Sequence, residues 1–300
     1  MAAVKEEPKL DFDLDFDAPA PQGTRKKLGE MLVAAEKLTS ADVKRTLSLQ
    51  QEATGMRFGD AAQQLGLASS EDVQQALSKQ FKYEFLSGGH GTVAREISIA
   101  YDPQCAGAEA VRRLRSNLVL NMAKDARCEA IAVVSPSNGD GRSFVAANLA
   151  IAFAQMRRRT LLIDADMRRP CQHLNFGLKN QVGFATILAE RGANDCMSRI
   201  EGFNELSVVT SGPTPPNPQE LLGRPVLTRF IEVVRSHFDV VIFDTPACTE
   251  SADAALLANL ATSAVLVVRR HHTALRDVQR ATADMATAQA KVLGVVLNSY

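Results

Sequence analysis

The sequence predicts an α/β domain with a mainly parallel sheet over residues 107–300, preceded by a small all-helical domain over residues 25–86. Three observations carry this. From residue 130 onward, short apolar runs alternate with helical patterns, the order that lays parallel strands side by side with helices on both faces. The first run, Ala130–Val134, passes through a glycine-bearing turn straight into a helical pattern, Phe144–Phe153. Upstream, a short helix, a turn and a second helix are read twice at an offset of 30 residues, Leu28 matching Phe58.

Length and make-up suit that division. A chain of 300 residues accommodates one large domain and a small one. With 46% hydrophobic and 23% charged residues it can fill a core and remain soluble. Its 34 Lys and Arg balance 34 Asp and Glu, so there is no general pull toward nucleic acid or anionic lipid. Five cysteines, none in a C-x-x-C pair, read as buried or free thiols in a reducing compartment. The opening MAAVKEEPKL lacks the apolar core of a signal peptide, and no apolar run is long enough to span a bilayer. The expectation is a cytoplasmic protein that meets the membrane only through a partner.

Taken in order, residues 1–24 read as a disordered acidic tail, in which Asp11-Phe12-Asp13-Leu14-Asp15-Phe16-Asp17 alternates acid and apolar side chains. In the repeat, Lys27-Leu28-Gly29 aligns with Arg57-Phe58-Gly59, Val43 with Val73, Leu47 with Leu77 and Gln50 with Gln80. Thr39-Ser40-Ala41-Asp42 and Ser69-Ser70-Glu71-Asp72 carry the hydroxyl and acid of a helix start. Residues 87–106, with Gly88-Gly89-His90-Gly91, read as a linker. His90 and the pair His271-His272 lack further ligands at metal spacing and read as loop residues. Residues 107–124 read as a helix with Val111, Leu114, Leu118 and Met122 on its apolar stripe and Glu109, Arg112 and Arg115 beside it. That charged trio has the spacing of intrahelical ion pairs. Strands are expected at 161–164, 206–209, 239–243, 264–268 and 292–297, with helices through about residue 200 and again over Pro225–Ser236.

The chemistry concentrates on Val133–Ser143. A strand, a glycine-bearing turn and a helix make an anion cradle, because glycines let backbone N–H groups point inward and the helix N-terminus adds positive dipole. Gly141-Arg142-Ser143 stands where the phosphate-loop pattern G-x-x-x-x-G-K-[ST] has G-K-S, with Pro136 at the first glycine and Arg142 for the lysine. Arginine keeps the charge and offers a planar fork. Two apolar runs end in carboxylates, Leu161-Leu162-Ile163-Asp164-Ala165-Asp166 and Val240-Val241-Ile242-Phe243-Asp244. In an open α/β sheet, ligands bind outside the carboxyl ends of the strands, so these aspartates converge on the loop. Carboxylates there hold Mg²⁺ or orient an attacking hydroxyl.

Together SPSNGDGRS, LLIDADMRRP and FDVVIFDTP resemble the Walker A, A′ and B motifs of the bacterial tyrosine kinases, the cytoplasmic partners of polysaccharide chain-length determinants. Gly212–Leu222 and Gly294–Asn298 resemble further stretches of that family, and GDGRS is similar to its EpsG type. The resemblance covers about residues 105–300. It departs at Arg142, at Phe144, where a small hydroxyl residue is usual, and at the end, where Tyr300 stands in place of a tyrosine cluster. It implies a P-loop NTPase of the deviant-Walker, MinD/ParA-like fold that uses ATP and Mg²⁺. Asn138, Gly139, Asp140, Gly141, Arg142, Ser143 and Phe144 would hold the nucleotide phosphates, with Asn298 at the adenine edge, where its amide can donate and accept at once. Ser143, Asp164 and Asp244 would handle the metal. Arg142, Asp164, Asp166 and Asp244 would serve catalysis, with Asp164 or Asp166 assisting the metal or accepting the tyrosine proton. Tyr300 is the candidate acceptor, and Glu109, Arg112 and Arg115 match the contact that closes subunits into rings. The implied partner is an integral-membrane chain-length determinant, not nucleic acid.

The repeat resembles the N-terminal (MshEN-like) domain of type II secretion and pilus ATPases, R-L-G-x-x-[LVI]-[LVI]-x-x-G ending in L-x-x-Q. The second copy keeps Arg57, Gly59, Gly66, Leu77 and Gln80; the first keeps Leu28, Gly29, Leu32, Val33, Leu47 and Gln50, with Lys27 for Arg and Glu36 for Gly. Some members bind cyclic di-GMP. The resemblance therefore implies an effector site over Lys27, Gly29, Gln50, Arg57, Gly59 and Gln80, with the two glycines leaving room for the ligand. Two other functions use the same motifs: a nucleotide-binding regulatory module of little catalytic power, and a MinD/ParA-type positioning ATPase. Against the latter, Ser135-Pro136-Ser137 lacks that group's extra lysine, and a net charge of zero offers nothing to DNA.

Overall fold

The computed structural model describes residues 27–299 apart from 54, 82, 87–90, 123–126, 193 and 194. The acidic tail, His90 and Tyr300 lie outside the described residues. The repeat folds into four helices: α1 (Leu28–Ala34), α2 (Ser40–Glu52), α3 (Phe58–Gln64) and α4 (Ser70–Phe81). The hydroxyl–acid signals act as read. Thr39 Oγ1 accepts the Asp42 N–H at 3.2 Å while the Asp42 carboxylate accepts the Thr39 N–H at 3.0 Å, and Ser69 with Asp72 repeats this reciprocal cap before α4. The copies interleave, α1 packing on α4 and α2 on α3, around Leu32, Leu38, Ala62, Val73 and Ala76. Gly29 of α1 packs against α2 and α3, and Gly59 of α3 packs against α4. A Cβ would lie 3.1 Å from Phe58 on the first and 2.7 Å from Val73 on the second.

The stretch read as a linker is in large part structural. Leu86 N–H donates to Ala100 O at 2.7 Å, a 3₁₀ turn spans Ser98–Ala100, and Val93, Ile97, Ile99 and Ala100 are buried in the core of the α/β domain. The apolar residues here are too few and too irregular in spacing to betray burial from the sequence. Helix α5 (Ala106–Asn121) follows and packs on the same face.

The remaining elements run β1 (Glu129–Val134), α6 (Arg142–Ala154), β2 (Thr160–Asp164), α7 (Gln172–Asn175), α8 (Phe184–Leu188), β3 (Met197–Ile200) and β4 (Phe203–Val209). Then come α9 (Pro218–Leu222), α10 (Pro225–His237), β5 (Val240–Asp244), α11 (Asp253–Ala261), β6 (Ser263–Arg269), α12 (Leu275–Thr287) and β7 (Lys291–Asn298). The seven strands lie in the order β3-β4-β2-β5-β1-β6-β7. Every neighbouring pair is parallel except β3 with β4. The antiparallel β3 was not expected, since helices were read through that region. Its sequence Met-Ser-Arg-Ile is only partly covered at the sheet edge and has no apolar run to announce it. The central strands are buried on both faces, which is why they read as continuous apolar runs. Alternate residues serve two cores. Ala130, Ala132 and Val134 of β1 face the layer of α8 to α12, whereas Ile131 and Val133 face α5 and α6.

Candidate functional site

The loop from β1 to α6 is shaped by backbone that favours glycine: Gly139 has φ 79° and Gly141, the residue capping α6, has φ 92°. Asp140 is its internal brace. Its Oδ2 accepts the Ser137 N–H at 2.9 Å, its Oδ1 accepts the Thr273 hydroxyl at 2.7 Å, and its own carbonyl accepts Asn298 Nδ2 at 3.1 Å. Asn298, expected at an adenine edge, thus ties β7 to the loop backbone. Asn138 donates to Glu250 Oε1, and Arg269 Nη1 donates to Gly139 O at 3.4 Å. Phe144 is exposed on the first turn of α6.

Strands β2 and β5 run in register, with Asp164 opposite Asp244, and β1 lies on the other side of β5. The expected carboxylates therefore do meet beneath the loop. Asp164 Oδ2 accepts the N–H groups of Cys171 and Gln172 at 3.0 and 2.9 Å. Gln172, fully buried, donates through Nε2 to Asp244 Oδ2 at 2.7 Å and to Ser143 O at 3.0 Å. The Ser143 side chain lies beside Asp244 and favours its charged form. Burial pushes the Asp164 carboxyl well above the usual range, and the Asp244 charge adds to this. Burial raises Asp244 as well, against the opposing pull of Arg142. Cys171, pushed up to about 12 by burial and by Asp244, stays a neutral thiol. All five cysteines are free.

Arg142 departs from expectation. Its guanidinium, 7% exposed, turns away from the loop mouth and into the carboxylate cluster. Nη1 donates to Ser135 Oγ at 2.7 Å, Nη2 to Asp166 Oδ2 at 3.0 Å, and Nε lies 3.6 Å from Asp244 Oδ1. A buried cation requires such partners, and a planar fork reaches three of them where an ammonium would reach fewer. Asp166 is fully engaged, since Oδ1 also accepts the N–H groups of Arg168 and Arg169.

Glu109, Arg112 and Arg115 also act within the chain. Arg112 Nε donates to Glu109 Oε2 at 3.0 Å and its Nη1 to Tyr83 Oη at 3.4 Å. Arg115 Nη1 donates to Ala152 O at 2.8 Å, closing the last turn of α6. The two arginines expected at a subunit contact thus point into the fold. In the helical unit, Lys27 and Arg57 stand exposed at the starts of α1 and α3, and Gln50 and Gln80 are half-buried. Gly29 and Gly59 are used up in helix packing, which corrects the reading that they leave room for a ligand.

Sequence reasoning missed Ser135, Gln172, Thr273, Arg269 and Glu250. Ser135 and Gln172 lay within or just beyond the motifs and were detectable as polar residues beside a strand end. The others arrive from the end of β6 and from distant loops. Glu250 also pairs with Arg169 at 2.9 Å and lines, with Arg168, Thr214, Pro215, Pro216 and Pro218, a cleft of about 460 Å³ beside the loop.

A glycine-shaped phosphate loop, a parallel sheet and three strand-end aspartates beneath the loop define a P-loop NTPase of the ParA type. The family described as "ParA: NUBPL iron-transfer P-loop NTPase" matches residues 127–300. Within that class, the chain belongs to the tyrosine-protein kinase family of bacteria. It is 35% identical over 204 residues to the tyrosine-protein kinase YwqD of Bacillus subtilis (strain 168), covering 68% of this chain and 86% of that protein. Its fold is similar to the chimerical protein CapA2B2, with a TM-score of 0.65, 31% identity and coverage of 75% and 97%. It is also similar to the kinase domain of the Escherichia coli tyrosine kinase ETK, with a TM-score of 0.66, 29% identity and coverage of 71% and 82%.

Proposed function

We propose that the chain is an ATP-dependent tyrosine kinase of the EpsG type that works at the cytoplasmic face of the membrane with an integral-membrane polysaccharide chain-length determinant. The observation that carries the reading is a pair of buried carboxylate oxygens, Asp164 Oδ1 and Asp244 Oδ1, without hydrogen-bond partners beside the Ser143 hydroxyl. Among the described residues, no group of three or more His, Cys, Asp or Glu is arranged to hold a metal by itself. Mg²⁺ binds through one or two carboxylates together with substrate phosphates. Ser143 and Asp244 would hold it, leaving the open oxygen of Asp164 for the tyrosine proton, and when bound it neutralises charge on the transferring phosphoryl group. The amides from Gly139 to Ser143 hold the β- and γ-phosphates at the start of α6. Asp164 is the better acceptor for the tyrosine proton, because its Oδ1 has no hydrogen-bond partner, whereas Asp166 has both oxygens engaged. Phosphates on the loop compete with Asp166 and Asp244 for Arg142, a competition that favours weak catalysis.

Gly141→Val tests nucleotide binding. A branched side chain at φ 92° strains the loop and blocks backbone approach, so affinity for Mg-ATP should fall at least ~10-fold. Equal affinities by calorimetry would remove the reading.

No helix among the described residues is long and apolar enough to cross a membrane, and the proposal assigns membrane contact to the partner. Self-association into rings is part of it, through the face of α5 that carries Glu109, 61% exposed. Sedimentation with nucleotide that finds only monomers would delete that part. For the helical unit we propose a regulatory module with cyclic di-GMP as its effector, supported by Lys27 and Arg57, both exposed at helix starts and able to meet phosphates. Titration of the full chain should show saturable micromolar binding that Arg57→Ala abolishes. No saturation at near-millimolar ligand would leave partner docking as the module's role.

A further inference from the structure

Tyr83 lies two residues beyond α4, where the helical unit meets the α/β domain. Its side chain is half-buried, and its hydroxyl has an unusual setting. It donates to Gln155 Oε1 at 2.8 Å and accepts from Arg112 Nη1 at 3.4 Å. The charge of Arg115 acts on the same hydroxyl, and Arg115 Nε is buried without a hydrogen-bond partner. One guanidinium thus bonds the phenol while sharing its charge with Glu109 at 2.9 Å, and a second, with an unspent donor, adds its charge from nearby. Against the single carboxylate of Glu109, two cations leave a net positive charge that a neutral hydroxyl does not use and a phosphate dianion would. The other described tyrosine has no such setting, because Tyr101 donates to Val93 O and lies under Arg95.

We infer that Tyr83 is a phosphorylation site of this chain and that Arg112 and Arg115 receive its phosphate. The donor is a nucleoside triphosphate held by a second copy of the chain, so the inference rests on the kinase reading above. Transfer within one chain is excluded by distance: α6 separates Gly141 from Gln155 by 13 residues, about 20 Å of helix. In the step, Tyr83 Oη attacks the γ-phosphorus and the bond from that phosphorus to the β,γ-bridging oxygen breaks. The nucleoside diphosphate leaves, and the phenolic proton passes to the donor copy's Asp164. The product loses the hydrogen bond given to Gln155, whose Nε2 donates to Glu84 O at 3.0 Å and Ile99 O at 3.3 Å. Phosphorylation therefore alters the contact between the helical unit and the far end of the phosphate-loop helix.

The test has two arms on the full chain. In the first, protein incubated with Mg-ATP is digested and its phosphotyrosines are mapped by mass spectrometry. Phosphate on Tyr83 is expected, and phosphate on other tyrosines with Tyr83 bare overturns the inference. In the second, phosphotyrosine is placed at position 83 by codon suppression and its phosphorus resonance is titrated. Two guanidinium neighbours favour the dianion, so its second ionisation should fall at least about half a unit below the free value of about 6. Arg112→Gln with Arg115→Gln should restore it. A free value in the unsubstituted chain overturns the receiving pair. No phosphate on any tyrosine in the first arm overturns the kinase reading and the donor together, and the second arm alone then judges the arginines.

Discussion

Asp244→Asn will lower tyrosine phosphorylation by about 10²–10³-fold, the scale of losing one electrostatic stabiliser at a reacting phosphoryl group. The substitution keeps the shape of the side chain. The amide oxygen can still accept Gln172 Nε2, which lies 2.7 Å from Oδ2. What disappears is the negative charge at Oδ1, the buried oxygen beside Ser143 that no hydrogen bond occupies. A neutral amide cannot balance a divalent cation there. Arg142 loses a partner at 3.6 Å but retains Asp166 at 3.0 Å, so the fold survives with a loss of roughly 1–3 kcal/mol. Initial rates with labelled ATP, set beside a denaturation curve, separate the two effects. An unchanged rate would show that Asp244 is structural.

Gly183→Ala will destabilise the α/β domain by about 4 kcal/mol or more, the range reserved for substitutions with a named steric cause. A Cβ here would stand 2.1 Å from Thr210 O and 2.5 Å from Gly212 N. Both are backbone atoms, so no rotamer relieves the clash. The approach is fixed from both sides, because Phe184 N–H donates to Thr210 O at 2.7 Å and Ala185 N–H to Ser211 O at 2.8 Å. Moving that loop unseats Phe184, which packs on Phe230 with ring centres 6.2 Å apart. Gly223 is the control, since its Cβ would find nothing nearer than 3.6 Å. Its alanine variant should stay within about 1 kcal/mol of wild type. Similar urea midpoints for the two variants would refute the steric account.

The motifs were legible where local chemistry is self-sufficient. Apolar runs ending in Asp164 and Asp244 announced strands of a parallel sheet, and the site position follows from sheet geometry. The hydroxyl–acid pairs at Thr39 and Ser69 announced helix starts. Legibility failed where the decisive partner is remote in the sequence. Nothing in Gly141-Arg142-Ser143 says that the arginine folds back on Asp166, 24 residues away. Nothing in residues 83–100 says that Glu84 accepts Arg157 Nη1 at 2.7 Å and Asn204 Nδ2 at 2.8 Å. Gly29 and Gly59 misled for a related reason: an absent side chain looks the same whether a ligand or a neighbouring helix takes the space.

The interleaving of α1 with α4 and α2 with α3 has a bearing on how such a unit arose and how it carries a signal. Each 30-residue copy covers much of its apolar face with the other, so half a unit is less than half as stable. A change felt at the first turn of α1 is therefore shared at once with α4, the helix that leads to Tyr83. A duplicated sequence has become one mechanical part, whose output is its last helix.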